Sequence, residues 1–251
     1  MKKWEKIFRI ISIVIIIGCC LLYGGRLIYY YNKLKPAKVD GEVVKYIAHV
    51  IKSESGIAYN NDGLYLVGAD YVFKGNIKNN YVSYSDKIWR VSKIYASGAV
   101  KLILDTDATL EYYNNVNYQE SDVYNYLNND FLLTLTDADK YLYDMTYCSD
   151  VVTDINNITC DVKIEKQKVG LVDINDFTNS LLNGNTYFNT ESAIWLMNPA
   201  DELNMWVVYQ NKLTKDSVNE RYGVRPVIIL NDNIKVKSGK GTVNDPYMLE
   251  V

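Results

Sequence analysis

The sequence predicts an α+β fold, a mainly antiparallel mixed sheet with two or three short helices, preceded by one transmembrane helix. Three observations support this fold class. An apolar run lies near the N-terminus, many short apolar segments are separated by Gly, Asn, Asp and Ser, and only a few segments have apolar residues at helical spacing. Because strands and helices do not alternate regularly, we do not expect a parallel α/β sheet.

The N-terminal apolar run has the length and the flanks of a membrane anchor. Uncharged residues 10–25 lie between Arg9 and Arg26. A helix over residues 7–28 would be about 33 Å long, which spans a hydrocarbon core of about 30 Å if both arginines reach the headgroups. Aromatic residues on both sides stand where interfacial aromatics are expected. This pattern predicts one spanning helix.

The orientation of this helix rests on its short basic N-terminus. Basic residues are equally numerous on both sides of the run, so the positive-inside rule does not decide. The N-terminus is typical of an uncleaved signal anchor, which predicts an exported C-terminal domain. The predicted parts are a cytoplasmic tail (1–6), a transmembrane signal anchor (7–31), a juxtamembrane spacer (32–40) and an extracytoplasmic domain (41–251).

Two alternatives to an uncleaved anchor remain open. The stretch ending at Cys19 is similar to a bacterial lipobox, in which cleavage leaves Cys19 lipidated. The apolar run continues through Cys20 to Tyr23, whereas a mature lipoprotein normally becomes polar at once. A cleaved secretory signal lacks an A-x-A-like site at the end of the run. We therefore expect the uncleaved span.

Charge excludes nucleic acid as an expected partner. Residues 1–40 contain eight basic and two acidic side chains, which leaves 19 basic and 28 acidic side chains, a net charge of −9, in the remaining domain. Such a domain is repelled by phosphate backbones. We expect instead that the anchor associates with the membrane and that the domain binds a glycan or an envelope protein.

The domain contains only two cysteines, Cys148 and Cys160. In an oxidising compartment an even pair predicts a disulfide. The segment 149–159 between them is polar and needs such a link for its stability. In the chain-entropy model the link contributes about 3 kcal/mol to the free energy of unfolding. Two cysteines without a nearby histidine do not complete a zinc site.

Three segments are predicted to be helical. The first covers residues 41–53, with Asp40 as its N-cap and apolar residues at helical spacing. The second covers residues 121–135 and is capped by Ser121, and the third follows Asp173 and runs to residue 182.

Short apolar segments bounded by turn residues predict strands. Ser97 and Gly98 form a turn that should pair two neighbouring strands, 88–95 and 100–104, as a hairpin. The other predicted strands are 64–67, 71–73, 81–84, 193–197, 205–209, 224–230, 234–237 and 246–249. Pro226 inside the strand 224–230 predicts an edge or a bulge there.

Several short motifs occur in an order that is similar to a known group of proteins. They are Tyr71–Gly75, Asn79–Val82, Trp89–Val91, Val100–Ile103, Tyr126–Asn128, Val169–Leu171, Trp195–Leu196, Gly223–Val227 and Gly239–Thr242 before Asp245–Tyr247. Together they resemble uncharacterised membrane-anchored extracytoplasmic domains of low-GC Gram-positive bacteria. The likeness covers about residues 64–251.

That group resembles the C-type-lectin-like fold, which is shared with formylglycine-generating enzymes. The resemblance implies a small twisted sheet, two helices, long loops and chain ends that lie close together. The enzymes of this fold use a reactive cysteine pair late in the domain, but no cysteine follows Cys160 here. The resemblance therefore does not extend to oxidase activity, and it leaves the biochemical role open.

Asp105 and Asp107 form the sharpest enzyme-like motif. The sequence Asp-Thr-Asp-Ala-Thr after an apolar strand matches the nucleophile motif of haloacid-dehalogenase-type phosphatases, and Asp173 and Asp176 imitate their later acidic motif. That chemistry needs a loop at the carboxyl edge of a parallel sheet. The strand before Asp105 follows a hairpin turn, which favours an antiparallel arrangement and a solvated acidic turn.

Other candidate residues have structural interpretations. His49, the only histidine, lies in a predicted helix without a paired nucleophile, and no spacing selects two carboxylates for glycosidase chemistry. Arg225 is expected to contact an acidic partner inside the domain, with a ligand anion as the alternative. Possible calcium ligands (Asn231–Asn233, Asn244–Asp245, Asp137 and Asp139) fit turns, and Trp89, Trp195 and Trp206 fit a core.

The sequence thus predicts a single-pass bacterial cell-membrane protein whose extracytoplasmic domain recognises a glycan or an envelope protein. We expect no catalytic residue, no metal and no cofactor. The alternative is an extracytoplasmic carboxylate-dependent hydrolase or phosphatase that uses Asp105 and Asp107.

Overall fold

The computed structural model describes residues 38–39, 42–188 and 190–251. Residues Lys45–Val251 form one compact unit. The predicted tail and anchor, with Cys19 and the proposed cap Asp40, lie outside the described residues. Among the residues that are described, no helix is long and apolar enough to cross a membrane.

The fold is α+β, with mostly antiparallel mixed sheets and few short helices, as predicted. The α-helices are α1 (Ile47–Ser55), α2 (Asp122–Asn125), α3 (Ala138–Tyr141) and α4 (Ile174–Ser180). A π-helical turn (Tyr126–Phe131) follows α2, and 3₁₀ turns cover Tyr118–Glu120 and Leu132–Thr134.

Hairpins and longer connections join the described strands. They are β1 (Lys38–Val39), β2 (Glu42–Val43), β3 (Gly63–Val67), β4 (Asp70–Lys74), β5 (Tyr81–Tyr84), β6 (Lys87–Ile94), β7 (Val100–Leu104), β8 (Thr109–Tyr112), β9 (Met145–Cys148), β10 (Lys163–Gln167), β11 (Gly170–Leu171), β12 (Ile194–Pro199), β13 (Asn204–Tyr209), β14 (Lys212–Ser217), β15 (Arg221–Val224), β16 (Pro226–Leu230), β17 (Val236–Ser238) and β18 (Tyr247–Leu249). Strands β1 and β2 pair with each other outside the compact unit.

Two large sheets organise the compact unit, and β9 and β10 form a separate antiparallel pair. A nine-stranded sheet has the order β11-β16-β7-β6-β5-β18-β17, with the β3–β4 hairpin joined to β6 through β4. A five-stranded sheet has the order β14-β13-β12-β15-β8. Within these sheets only β5–β18 and β12–β15 are parallel. These sheets are larger than the single small sheet that the resemblance implies.

The hairpin predicted at Ser97–Gly98 is present. Strands β6 and β7 pair antiparallel, and Trp89 lies opposite Leu104. Gly98 has a φ of 101° and its N–H donates to the Tyr95 carbonyl at 2.9 Å. Since glycine adopts this left-handed conformation without a steric cost, the turn closes tightly. Strand β7 is antiparallel to both of its neighbours, β6 and β16.

One predicted strand is divided into two. The sequence predicted a continuous strand over 224–230, but the chain leaves β15 of the five-stranded sheet and enters β16 of the nine-stranded sheet at Arg225. Pro226 is the first residue of β16. Because proline cannot donate to a ladder, it is suited to this first position. The prediction of one strand with an edge or bulge is therefore corrected to a crossing between sheets.

Helix α1 begins later than predicted. Residues 42–43 form a strand, so the predicted helical start at residue 41 is wrong. Helix α1 begins at Ile47, and Tyr46 precedes it with an extended backbone and no side-chain cap. The Ile47 N–H donates instead to the Ile234 carbonyl at 2.9 Å. A tertiary hydrogen bond thus replaces the local cap that the sequence suggested.

The other two predicted helix starts are confirmed. The Ser121 hydroxyl accepts a hydrogen bond from the Tyr124 N–H at 3.0 Å and caps α2. The carboxylates of Asp173 and Asp176 form a reciprocal capping box at the start of α4. Such caps satisfy N–H groups that the first helical turn leaves unpaired.

The two ends of the compact unit lie beside the same strand segment. The Val236 N–H donates to the Lys45 carbonyl at 2.8 Å, and the Glu250 N–H donates to the Lys235 carbonyl at 2.9 Å. A single short segment therefore contacts both the beginning and the end of the unit.

Candidate functional site

The loop between β7 and β8, residues 105–108, joins the two sheets. The Asp105 N–H donates to the Ile88 carbonyl at 3.0 Å, and the Ala108 N–H donates to the Val224 carbonyl at 2.9 Å. The loop starts at the nine-stranded sheet and ends at the five-stranded sheet. The reverse crossing, at Arg225, lies beside it.

Each aspartate of this loop is paired with a buried arginine. An oxygen of Asp105 lies 3.3 Å from Arg90 Nη1, and an oxygen of Asp107 lies 2.7 Å from Arg225 Nε. Both arginines are buried, whereas the two aspartates are partly exposed. The expectation that Arg225 contacts an acidic partner inside the domain is confirmed.

Gly223 makes room for the Asp107 side chain. A Cβ atom at Gly223 would overlap the Asp107 carboxylate. The second carboxylate oxygen accepts a hydrogen bond from the Ser192 hydroxyl at 3.3 Å. The Gly-Val-Arg sequence at 223–225 therefore supplies both the space and the cation for Asp107.

Arg90 is the most extensively bonded side chain of the site. Its guanidinium donates to the side chain of Asn80 at 2.6 Å, to the Ile77 carbonyl at 2.7 Å and to the Tyr81 hydroxyl at 2.9 Å. It also stacks on the Tyr81 ring, 3.9 Å from the centroid. Because these bonds fix the guanidinium, Asp105 meets a cation of fixed position.

A cleft of about 470 Å³ opens beside this loop. We call it the β7–β8 cleft. Its lining consists of Asp86, Lys87, Ile88, Leu104, Asp105, Thr106, Asp107, Ala108, Tyr126, Phe131, Thr134 and Val243. The cleft thus combines a polar side, formed by the loop, with an apolar and aromatic side.

The π-helical turn positions the aromatic side of the cleft. In π-helical geometry residue i bonds to residue i+5, so Tyr126 and Phe131 fall on the same side of the turn. Their ring centroids are 6.2 Å apart. Phe131 is buried, Tyr126 is partly buried, and Lys87 Nζ lies 5.6 Å from the Phe131 centroid. π-helical turns of this kind are frequent at functional sites.

Asp173 and Asp176 contact a different cation. Lys101 Nζ lies 2.5 Å from an oxygen of Asp176 and 3.7 Å from an oxygen of Asp173. Burial by itself lowers the pKa of Lys101, but the two carboxylates outweigh it, so this pKa lies above its usual value. Burial, together with the neighbouring Asp173 carboxylate, raises the pKa of Asp176 to about 6.

The geometry lacks what the phosphatase chemistry requires. Asp105, Asp107 and the pair Asp173/Asp176 are held by three separate cations, and the strand before Asp105 is antiparallel to both of its neighbours. Within the described ranges, no three acidic, histidine or cysteine side chains converge as metal ligands would. The motif therefore forms arginine-paired loop residues here.

The structure places the other predicted residues in structural settings. Cys148 and Cys160 form a disulfide with Cα atoms 4.9 Å apart. Trp89 and Trp195 are fully buried, and Trp206 is partly buried. His49 lies in α1, and the candidate calcium ligands at 137–139, 231–233 and 244–245 lie in or beside turns.

Sequence reasoning missed Arg90, Asn80 and the π-helical turn. The available signal for Arg90 was a charged residue between the apolar neighbours Trp89 and Val91 of a predicted strand, because a buried charge requires partners. The π-helical turn gave no such signal, since its apolar residues also fit ordinary helical spacing.

No protein-family model, curated protein or solved structure matches this chain.

Proposed function

We propose that residues 41–251 form a non-catalytic recognition domain on the outer face of the bacterial cell membrane. The anchor at residues 7–31 would hold it there, and its ligand is a glycan or an envelope protein. The net charge of −9 over these residues argues against nucleic acid as the ligand.

One observation carries this proposal: the carboxylates of Asp105 and Asp107, which line the β7–β8 cleft, are already paired with buried arginines. A catalytic acid, base or nucleophile needs a carboxylate that is available to the reacting atoms. Asp105 and Asp107 instead form ion pairs at 3.3 and 2.7 Å within the fold. A cleft with fixed polar groups and an apolar wall is suited to binding.

The proposed location is supported by the disulfide. Cys148 and Cys160 are bonded in the structure. Structural disulfides persist in oxidising compartments and are rare in the cytosol. This is the state expected of an exported domain.

We also infer that the domain belongs to the C-type-lectin-like group of membrane-anchored proteins. Support comes from the ordered motifs over residues 64–251 and from the ends of the unit, which both contact the segment Lys235–Val236. The short helices and mostly antiparallel strands fit the same group.

The proposal can be tested with the full-length chain held in detergent or lipid nanodiscs. Purified cell-wall polysaccharide and solubilised envelope proteins from a Gram-positive bacterium are titrated separately against it. Saturable binding to either, without turnover of a phosphomonoester or glycoside substrate, is expected. Absence of binding to both, or turnover that is lost in Asp105→Asn, would contradict the proposal.

A further inference from the structure

We propose that the β7–β8 cleft binds a neutral saccharide, whose hydroxyl groups donate to the loop carboxylates and whose apolar ring face lies against the aromatic wall. This inference rests on the proposed recognition function and makes it specific. It chooses a saccharide over an envelope protein as the ligand, and it assigns the site, which the sequence did not indicate.

The size of the cleft suits a small ligand or the end of a chain. Its volume of about 470 Å³ lies within the roughly 300–1,000 Å³ typical of small-molecule sites. It is bounded by side chains from β6, β7, the following loop and the π-helical turn. These elements belong to one compact unit.

The charges on the polar side favour a neutral ligand. Asp105 and Asp107 are compensated from within the fold by Arg90 and Arg225. Lys87 and Asp86, which also line the cleft, carry opposite charges. The cleft therefore has no net negative charge that would attract a cationic ligand. An anionic ligand would be repelled by the carboxylate oxygens.

The loop nevertheless offers strong acceptors. Only one oxygen of Asp105 contacts Arg90, and its other oxygen accepts no hydrogen bond from the described residues. Asp86 and Thr106 are exposed at the same cleft. Hydrogen bonds from hydroxyl groups to a carboxylate are roughly twice as strong as neutral ones. Several such acceptors on one side of the cleft match the vicinal hydroxyl groups of a sugar.

The opposite side provides an apolar surface. Phe131 and Leu104 are buried, Tyr126 is partly buried, and Val243 is 57% exposed at the edge. Since Phe131 is only 3% exposed, Tyr126 supplies the accessible ring. An aromatic ring face carries partial negative charge, which attracts the C–H groups of a saccharide ring. The combination of hydroxyl acceptors with an aromatic wall distinguishes a saccharide from a purely apolar or purely charged ligand.

The ion pairs of Asp105 and Asp107 are held in place by the fold. Arg90 is held by Asn80, Ile77 and Tyr81, and Asp107 by Arg225 and the Ser192 hydroxyl. Side chains that are already ordered lose little conformational entropy on binding. A weak neutral ligand benefits most from such preorganisation.

The test uses the full-length chain and an array of neutral oligosaccharides built from glucose, N-acetylglucosamine, galactose, mannose and rhamnose. The best binder is then titrated by calorimetry against two matched variants. Val243→Arg places a long charged side chain at the cleft, and Val151→Arg makes the same change at a 54% exposed residue of the disulfide loop, outside the cleft lining. Both residues are exposed, so neither change threatens the core.

A second pair tests the acceptors. Asp86→Asn removes a cleft carboxylate, and asparagine tolerates the positive φ of 57° at this position. Asp139→Asn makes the same change at an exposed residue of α3 that does not line the cleft. Penta-lysine serves as a cationic probe.

We expect saccharide binding that Val243→Arg weakens at least tenfold and Asp86→Asn weakens several-fold, whereas the two control variants leave it unchanged. Binding of penta-lysine in the cleft, or no binding of any neutral saccharide, would overturn the inference. If both arginine variants still bind the saccharide normally, the assignment of the binding site to the β7–β8 cleft is wrong. In the last case, or if only an envelope protein binds, the proposed recognition function stands while this inference fails.

Discussion

Gly223 has no side chain, and the carboxylate of Asp107 fills the space that it leaves. The same carboxylate pairs with Arg225, two residues further along the chain. Residues 223–225, at the end of β15 and in the crossing that follows, therefore fix one side of the loop that lines the cleft. This dependence is steric, because Gly223 does not adopt a left-handed conformation.

Gly223→Ala is expected to lower the free energy of unfolding by about 1–3 kcal/mol, since the added methyl group displaces Asp107 from a packed position. The measurement is urea unfolding of Gly223→Ala, Asp107→Ala and the double variant. If the clash is the cause, the cost of Gly223→Ala falls when Asp107 is already replaced. An equal cost in both backgrounds would contradict this explanation.

Arg90 shows what the sequence could and could not provide at this scale. An arginine between the apolar neighbours Trp89 and Val91 of a strand predicts a buried ion pair or a network. The partners Asn80, Tyr81 and Asp105 come from other strands and loops, so only the three-dimensional pairing identifies them. For Arg225 the acidic partner was predicted, but Asp107 was not selected from the other acidic residues.

At the level of elements, the disulfide loop connects β9 to β10 and packs against the five-stranded sheet. The Val152 N–H donates to the Pro199 carbonyl at 2.9 Å, and the Trp206 indole N–H donates to the Val152 carbonyl at 2.8 Å. The Cys148 carbonyl accepts from the Asn198 side chain at 3.2 Å. The disulfide closes this loop, and the three hydrogen bonds hold it against the five-stranded sheet.

Replacing both Cys148 and Cys160 by serine is expected to lower the free energy of unfolding by about 3 kcal/mol, because the unfolded chain regains loop entropy. Amide exchange should increase in residues 149–159 and stay unchanged in β6. Reduction of the native chain should add two hydrogen atoms to its mass, unless Cys19 and Cys20 also oxidise. A native mass that reduction leaves unchanged would refute the disulfide.

Local signals predicted most of the elements but not their assignment to sheets. Ser121 and Asp173 were identified as caps because their side chains bond to nearby N–H groups. Alternating apolar segments predicted β5 and β7 within the bounds observed. The start of α1 and the break at Arg225 depend on hydrogen bonds to distant strands, which local spacing does not encode.

Across the whole molecule, tyrosine accounts for much of the buried aromatic surface. Tyr113, Tyr118, Tyr147 and Tyr187 are buried, and burial raises the pKa of each above its usual value near 10. A folded pKa above the unfolded one means that the stability is fully present below about pH 10 and is lost as the pH rises further.

The free energy of unfolding is therefore expected to fall above pH 10, by up to about 1.4 kcal/mol per pH unit for each buried tyrosine. The measurement combines urea unfolding at several alkaline pH values with tyrosinate absorbance. Tyr118→Phe should flatten this fall, because its buried hydroxyl has no hydrogen-bond partner among the described residues. Tyr59→Phe, at an 81% exposed position, should not. Ionisation of every tyrosine near pH 10 in a folded chain would contradict the prediction.

The central claim is that the acidic domain faces the outside of the cell. Its most direct test is labelling with a membrane-impermeant maleimide in intact cells. Leu203→Cys introduces a thiol at a 72% exposed position between β12 and β13, and Lys3→Cys introduces one in the predicted cytoplasmic tail. The account predicts that the Leu203→Cys variant is labelled in intact cells and the Lys3→Cys variant only after lysis. Labelling of the Leu203→Cys variant only after lysis would contradict it.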